Sequence, residues 1–200
     1  MTSQRHNIEE RAPGAARDIP AAILDATRAA VLAVGVRRTT LTDVARRAGV
    51  SRMTVYRLVP DVNTLILEVM TRDLGSLLAD VERIANRRRT ARARLVAVVT
   101  DVCRRLPEEP LLRRVLDVDP ELLLPYLTDR WGSTQRLAVG HVRRIVSEGH
   151  ADGSIRRGDA ETIARMLVLL VTPYVVSAGA IDELDPFAEL ERLVDRWLKP

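Results

Sequence analysis

Residues 39–60 read TTLTDVARRAGVSRMTVYRLVP, from Thr39 to Pro60, and their spacing predicts two short helices joined by a tight turn. Thr40-Leu41-Thr42-Asp43 sets a hydroxyl at a helix N-cap and an acid at N3, so each side chain can satisfy an amide that the helix end leaves free. Val44, Ala45 and Ala48 give this helix a small apolar face, and Asp43 and Arg47 stand four apart as a supporting ion pair. Gly49 supplies the left-handed residue that ends a helix without a Cβ clash. Val50 is expected to peg the turn into the core, and Ser51 to cap a second helix beginning at Arg52. Helix, glycine turn and capped second helix describe a helix-turn-helix, a motif whose second helix enters the DNA major groove.

That second helix, 52–58, has two kinds of surface. Val55 and Leu58 point inward, while Arg52, Met53, Thr54, Tyr56 and Arg57 are left outside. Arg pairs in bidentate fashion with guanine, and a Met or Thr methyl can touch the thymine methyl. Tyr56 and the hydroxyls of Thr40 and Ser51 suit phosphate oxygens, which position a protein without reading sequence. The candidate DNA-facing residues are therefore Thr40, Thr42, Ser51, Arg52, Met53, Thr54, Tyr56 and Arg57.

Charge is distributed to match. The 200 residues carry a formal net charge of only +4, yet residues 1–58 hold ten Arg against five acids, and residues 59–200 hold 21 basic against 22 acidic residues. The excess positive charge accompanies the candidate reader, as an electrostatic footprint for a polyanion should. With 46% hydrophobic residues the chain can bury a core, which excludes a disordered class. The single cysteine, Cys103, excludes an internal disulfide framework and fits a reducing, cytoplasmic setting. The N-terminus lacks the apolar segment of a signal peptide, and the longest apolar run, from Met166 through Val176, is too short and interrupted for a bilayer span, so no membrane partner is expected.

The rest of the chain reads as all-α. Residues 1–18, with Arg5, Arg11 and Arg17 beside Pro13-Gly14, form a solvated arm, although a basic arm can also lie in a minor groove. A first helix from Pro20 to Gly35 turns Ile23, Thr27, Ala30, Val31 and Val34 inward and completes a three-helix unit over 19–62. A long helix starting near Asn63 carries the stripe Ile66, Val69, Met70, Leu74, Leu77, Val81 and Ile84, long enough to carry a mechanical signal between two domains. The arginine-rich run 86–94 is expected to be a solvated turn and helix start. Leu95, Val98, Val99, Val102 and Leu106 stripe the next helix, and Asp119-Pro120 reads as a cap followed by a helix-opening proline. A segment over 128–149 precedes a glycine-rich turn, and Asp159 caps a helix over 160–177 that is apolar on nearly every side. Sharing that helix with a second copy is the simplest way to bury it. A last amphipathic helix follows Asp185-Pro186, carrying Phe187, Leu190, Leu193, Val194 and Trp197.

This organisation resembles the TetR family of bacterial transcriptional regulators. The similarity covers about residues 20–74 and is carried by Thr39-Thr40-Leu41-Thr42-Asp43-Val44-Ala45, Ala48-Gly49-Val50-Ser51 and Thr54-Val55-Tyr56-Arg57; beyond residue 74 it is architectural. The resemblance implies a homodimer on a palindromic operator, with the last two long helices, 160–177 and 186–198, pairing into a four-helix interface. It also implies a 63–200 body that binds a small effector among its middle helices and thereby releases DNA. Three positions depart from the family pattern. Leu58-Val59 replaces an aromatic pair, Met53 stands where a small residue is common, and Val62-Asn63 replaces a Lys that opens the fourth helix. Asn63 or Thr64 can supply the missing phosphate contact through side chain or backbone N–H.

Polar and aromatic residues on the apolar helices are the effector-site candidates: Thr100, Cys103, Tyr126, Trp131, His141 and Tyr174, each of which taken alone also fits ordinary packing. The scarcity of charge around them favours a hydrophobic ligand. No cofactor, metal or catalytic site is expected: His6, His141 and His150 lack ligand spacing, and no phosphate loop or nucleophile elbow occurs. Two other readings remain. A LacI-like DNA head shares the 40–55 pattern but opens its chain, whereas about forty residues, including a full helix, precede it here. A helical protein-binding adaptor without DNA binding leaves the basic N-terminal third unexplained.

Overall fold

The computed structural model describes residues 18–129, 131–178 and 185–200, and among these there is no strand. The arm at 1–17, with His6, and the acidic pair Asp182-Glu183 lie outside the described residues. Among the described residues ten α-helices follow in order: α1 Ala21–Val34, α2 Leu41–Ala48, α3 Arg52–Leu58, α4 Val62–Ala85, α5 Ala91–Arg105, α6 Pro110–Val118, α7 Leu124–Thr128, α8 Ser133–Ala151, α9 Ala160–Ser177 and α10 Phe187–Leu198, with 3-10 turns at Leu106–Glu108 and Pro120–Leu122.

Caps decide most of these starts. Thr40, Ser51, Asp61, Thr90 and Asp159 each accept a hydrogen bond from the backbone N–H three residues on, opening α2, α3, α4, α5 and α9. Gly49 ends α2 at φ 68°, in the left-handed region its sequence position requires. Pro20 stands one position outside α1 rather than as its first residue.

The head has its own small core. Ile19, Ile23, Ala26, Leu41, Val44, Ala45, Val55, Val59 and Leu65 are buried together, with Val50 and Leu58 partly buried against them. Leu65 belongs to the first turns of α4, so this helix enters the head core before continuing into the body. Its 24 residues span roughly 36 Å at 1.5 Å per residue. A second cluster joins head to body: Val31 and Val36 from α1 and its following link, Ile66 and Val69 from α4, Leu111, Leu112 and Val115 from α6, Leu123, and Val175 from α9. The body core proper lies among α4, α5, α8, α9 and α10.

Several expected packings differ. Ile84 is half exposed, because the buried face of α4 runs through Leu77, Leu78, Val81 and Ala85. Asp43 pairs with Arg46 at 3.0 Å, one residue short of the expected Arg47. Arg92 and Arg94, read as solvated, are mostly covered and pair with Asp195 (3.2 Å) and Glu148 respectively, tying the start of α5 to α10 and α8. Asp119 caps nothing on its own helix turn; its carboxylate reaches back to the link after α1. The helix α10 buries Val194 and Leu198 against the body core and packs chiefly on α5, meeting α9 where Phe187 touches Tyr174. The main neighbour of α9 is α8.

On α9, Ile163, Ala164, Leu167, Val168 and Val175 face the core. Met166 and Leu170 on the other side are about half exposed, and Leu169 is 53% exposed. Its 18 residues have the length and mean hydropathy, 1.4, of a marginal membrane span. Arg165 within it pairs with Glu161 at 2.8 Å, and on the neighbouring α8 Gly140 has open space above it.

Candidate nucleic-acid interface

Seven residues make α3, and only Val55 is fully buried among them. Anchored by that peg, the helix turns its remaining surface outward. Met53 is 75% exposed, and Arg52, Tyr56 and Arg57 are exposed beside it. Arg52 and Tyr56 stand four apart and share one face of the helix. Arg52 and Arg57 have no acidic partner among the described residues, and neither has Arg38 in the link preceding α2. The body differs, since its arginines are extensively ion-paired, as Arg72 is with Asp25 at 2.7 Å and Arg113 with Glu108 at 2.8 Å. Unpaired guanidiniums on a convex helical corner are what a phosphate backbone and guanine edges recruit. Arg38 was not among the sequence candidates; the Arg37-Arg38 doublet just before the capping threonine was the available signal.

Hydroxyl chemistry is more restricted than the residue types suggest. Thr40 Oγ1 accepts from Asp43 N at 3.1 Å and donates to Asp43 Oδ2 at 2.8 Å, so its proton is already committed. That bond, followed by Arg46, holds the Asp43 carboxyl below the usual carboxylate range. Ser51 Oγ accepts from Thr54 N at 3.1 Å and shares a hydrogen bond with Thr54 Oγ1 at 2.8 Å, which leaves one hydroxyl proton of the pair for an outside acceptor. Thr42 and Thr54 are partly buried. At the head of α4 one backbone N–H is already taken, because Asp61 Oδ1 accepts from Thr64 N at 2.7 Å, while the first-turn amides before it remain for an anion. Asn63 stays exposed and uncommitted, and Thr64 keeps its own hydroxyl. Arg52, Met53, Tyr56, Arg57 and Asn63 thus form the free surface.

The six effector candidates do not converge on one cavity. Cys103 is buried in the body core, where burial pushes its thiol up to about 12, and it lies close enough to Tyr174 to bear on that hydroxyl. Tyr174 meets Phe187 edge to face at 6.4 Å between ring centres, and Arg104 covers the same Phe187 ring at 4.5 Å. Thr100 is buried with its hydroxyl unpartnered and borders a cleft of about 240 Å³ between α5 and α10, lined also by Arg88, Asp101, Arg104, Glu191 and Asp195. Ala93, Val96 and Ala97 complete the lining, so the cleft is apolar on its α5 floor and charged at its rim. His141 sits on α8 with Nε2 3.1 Å from Glu82 of α4; burial draws its imidazole below the ordinary value, against the raising effect of Glu82. Trp131 lies under Arg165, 5.7 Å from its ring, and Tyr126 packs against Gly132.

A family model described as bacterial regulatory proteins, tetR family, matches residues 23–59, from the buried Ile23 of α1 through α3. The chain is 33% identical over 162 residues to an HTH-type transcriptional regulator of Mycobacterium bovis, covering 81% of this chain and 82% of that one. Among solved structures it resembles the Rhodococcus erythropolis repressor QsdR of the TetR family, with TM-score 0.70, 17% identity and coverage of 88% of this chain and 92% of that chain. It also resembles the TetR-family repressor AlkX of Dietzia sp., with TM-score 0.67, 20% identity and coverage of 92% and 95%. The capped helix-turn-helix with its uncommitted α3 face, the all-helical body and this similarity along four-fifths of the chain agree, and the chain belongs to the TetR family of DNA-binding transcriptional regulators.

Proposed function

We propose that the protein binds a palindromic operator as a homodimer, each α3 lying in a major groove, and that a small molecule taken up by the body releases it. The observation that carries the reading is the free face of α3, which presents Arg52, Met53, Tyr56 and Arg57 with no competing partner among the described residues. Arg52 reads a base edge, Met53 supplies apolar contact to a neighbouring base, and Tyr56, Arg57, Arg38 and Asn63 hold phosphates.

The dimer uses the outer side of α9 with the adjoining side of α8, rather than α9 with α10. Met166, Leu169, Leu170 and Pro173 give α9 an exposed apolar row, whereas α10 has satisfied its own apolar face on α5. Small and polar positions on α8, Gly140 and Ser147, let a second copy approach closely. An effector acts from the body core near Cys103 and Tyr174, because Tyr174 packs against both the body core and the cluster that joins α6 to α1 and α4. That surrounding is apolar and suits an apolar effector; AlkX is implicated in biodegradation of n-alkanes.

Gel retardation on the DNA flanking the protein's own gene tests this reading. A single retarded complex containing two protomers is expected, weakening steeply with salt as released counterions require. No retardation at low salt would favour the protein-binding adaptor. In the same assay Arg52→Ala is expected to relax preference at about one base pair per half-site, costing roughly 1–3 kcal/mol against the best site. Tyr56→Phe should weaken all sites alike. An unchanged base preference discards the assignment of Arg52.

A further inference from the structure

Asp119 follows the last residue of α6, in the body, yet the partners of its side chain lie in the head. Its side chain is 3% exposed. Its Oδ2 accepts from Val36 N at 3.1 Å, and its Oδ1 stands 2.9 Å from Arg37 Nε. Arg37 also donates to Glu121 in the 3-10 turn after α6. Both head residues belong to the link between α1 and α2. The link is then tied to itself: Thr39 Oγ1 donates to Gly35 O at 2.8 Å and Thr39 N to Val36 O at 3.1 Å. The next residue is Thr40, the cap of α2. Gly35 makes the entry with φ 85° and ψ 168°, a region that is essentially glycine's alone, and a Cβ there would stand 3.8 Å from Asp119 Oδ2. A polar path therefore runs from the end of α6 to the first turn of the helix-turn-helix.

Local stability does not require this carboxylate. Asp119 makes no side-chain cap for the 3-10 turn it precedes, and its own N–H is already bonded to Val115 O at 2.9 Å. Burying a carboxylate is costly unless it is partnered, and here its one hydrogen-bond donor, Val36 N–H, and the Arg37 guanidinium beside Oδ1 both belong to a different unit. Arg37 is itself 73% exposed, so the ion pair contributes little by attraction alone. What the arrangement provides is fixed geometry. We propose that Asp119 is a positioning residue for DNA recognition: it clasps the α1–α2 link to the end of α6 and so sets the angle at which α3 is presented to DNA, and hence the separation of the two α3 helices in a dimer.

The proposal rests on the dimer and palindrome reading above, and its signature is spacing discrimination. Changing the half-site separation by one base pair turns one site about the helix axis by about a tenth of a turn, which a rigid pair of heads resists. The wild-type protein is expected to prefer one spacing by about tenfold or more over its neighbours. In Asp119→Ala that preference falls to within about threefold, while binding to an isolated half-site stays at the wild-type level. Asp119→Asn keeps an acceptor for Val36 N–H and restores most of the preference. Arg37→Gln, a change at an exposed position that leaves the fold intact, gives an intermediate loss even if Asp119→Ala fails to fold. Retention of the wild-type spacing preference in Asp119→Ala, or in Arg37→Gln should Asp119→Ala not fold, overturns the proposal; so does half-site binding that falls as much as binding to the full site. A wild-type protein indifferent to spacing would instead count against the dimer reading. The clasp is then decided without DNA by hydrogen exchange: the Val36 amide should exchange slowly in the wild type and in Asp119→Asn but quickly in Asp119→Ala, with α5 and α8 unchanged, and equal rates at Val36 in the wild type and Asp119→Ala overturn it.

Discussion

Leu169→Glu is expected to convert the protein from dimer to monomer at micromolar concentration and to lower operator affinity by two orders of magnitude or more. Leu169 is 53% exposed on α9, between Met166 and Leu170, in the apolar row proposed to meet its own copy. A two-fold interface counts each residue twice, so the substitution removes two buried leucines, each contributing roughly 1.5–3 kcal/mol, and places two carboxylates in an apolar seam. The sum, about 4 kcal/mol or more, weakens association about a thousandfold. Losing the second head removes a bivalent gain on the order of 10²–10⁴. Sedimentation equilibrium and gel retardation measure the two effects separately. Leu193→Glu on α10, exposed to a similar degree but away from that row, should leave both unchanged. If Leu193→Glu alone dissociates the protein, the interface belongs to α10 instead.

The second large effect is expected inside the head. Val55 is the one fully buried residue of α3 and belongs to a core of nine buried side chains. Val55→Asp removes roughly 1.5–3 kcal/mol of apolar burial and leaves an unpaired charge whose desolvation costs several kcal/mol more. So small a core cannot absorb this loss, and α2 and α3 should unravel. The body should not follow, because its own cluster shares no buried residue with the head core. The measurable outcome is complete loss of retardation with the dimer mass retained and helical circular dichroism only partly reduced. Global unfolding to a monomer would show that head and body form one cooperative unit.

Local chemistry made much of this legible. The caps at Thr40, Ser51 and Asp159, the glycine stop at Gly49 and the apolar stripe of α4 all depend on residues within a turn or two of one another. What the sequence hid is non-local. Asp119 looks like a cap because Pro120 follows it, yet its partner Val36 is 83 residues away. Arg92 and Arg94 look solvated until Asp195 and Glu148 arrive from other helices. The apolar stripe of α10 carries no mark of which helix it will cover, and α5 takes most of it in place of α9. Capping likewise consumes hydroxyls that residue type alone offers to phosphate, as Thr40 shows. The uncommitted face of α3 was legible because a seven-residue helix with one inward peg has few ways to be oriented.

The central claim, that two α3 helices lie against base pairs in neighbouring major grooves, can be tested with a cleaving probe. Cys103 is buried and its thiol is pushed up to about 12, so a cysteine introduced by Met53→Cys on α3 becomes the reactive thiol to which an iron–EDTA reagent attaches. On the bound operator this account predicts two cleavage centres on one face of the duplex, about one helical turn apart. Bound DNA left uncut by the probe at position 53, or cut at only one centre by a dimer, contradicts it.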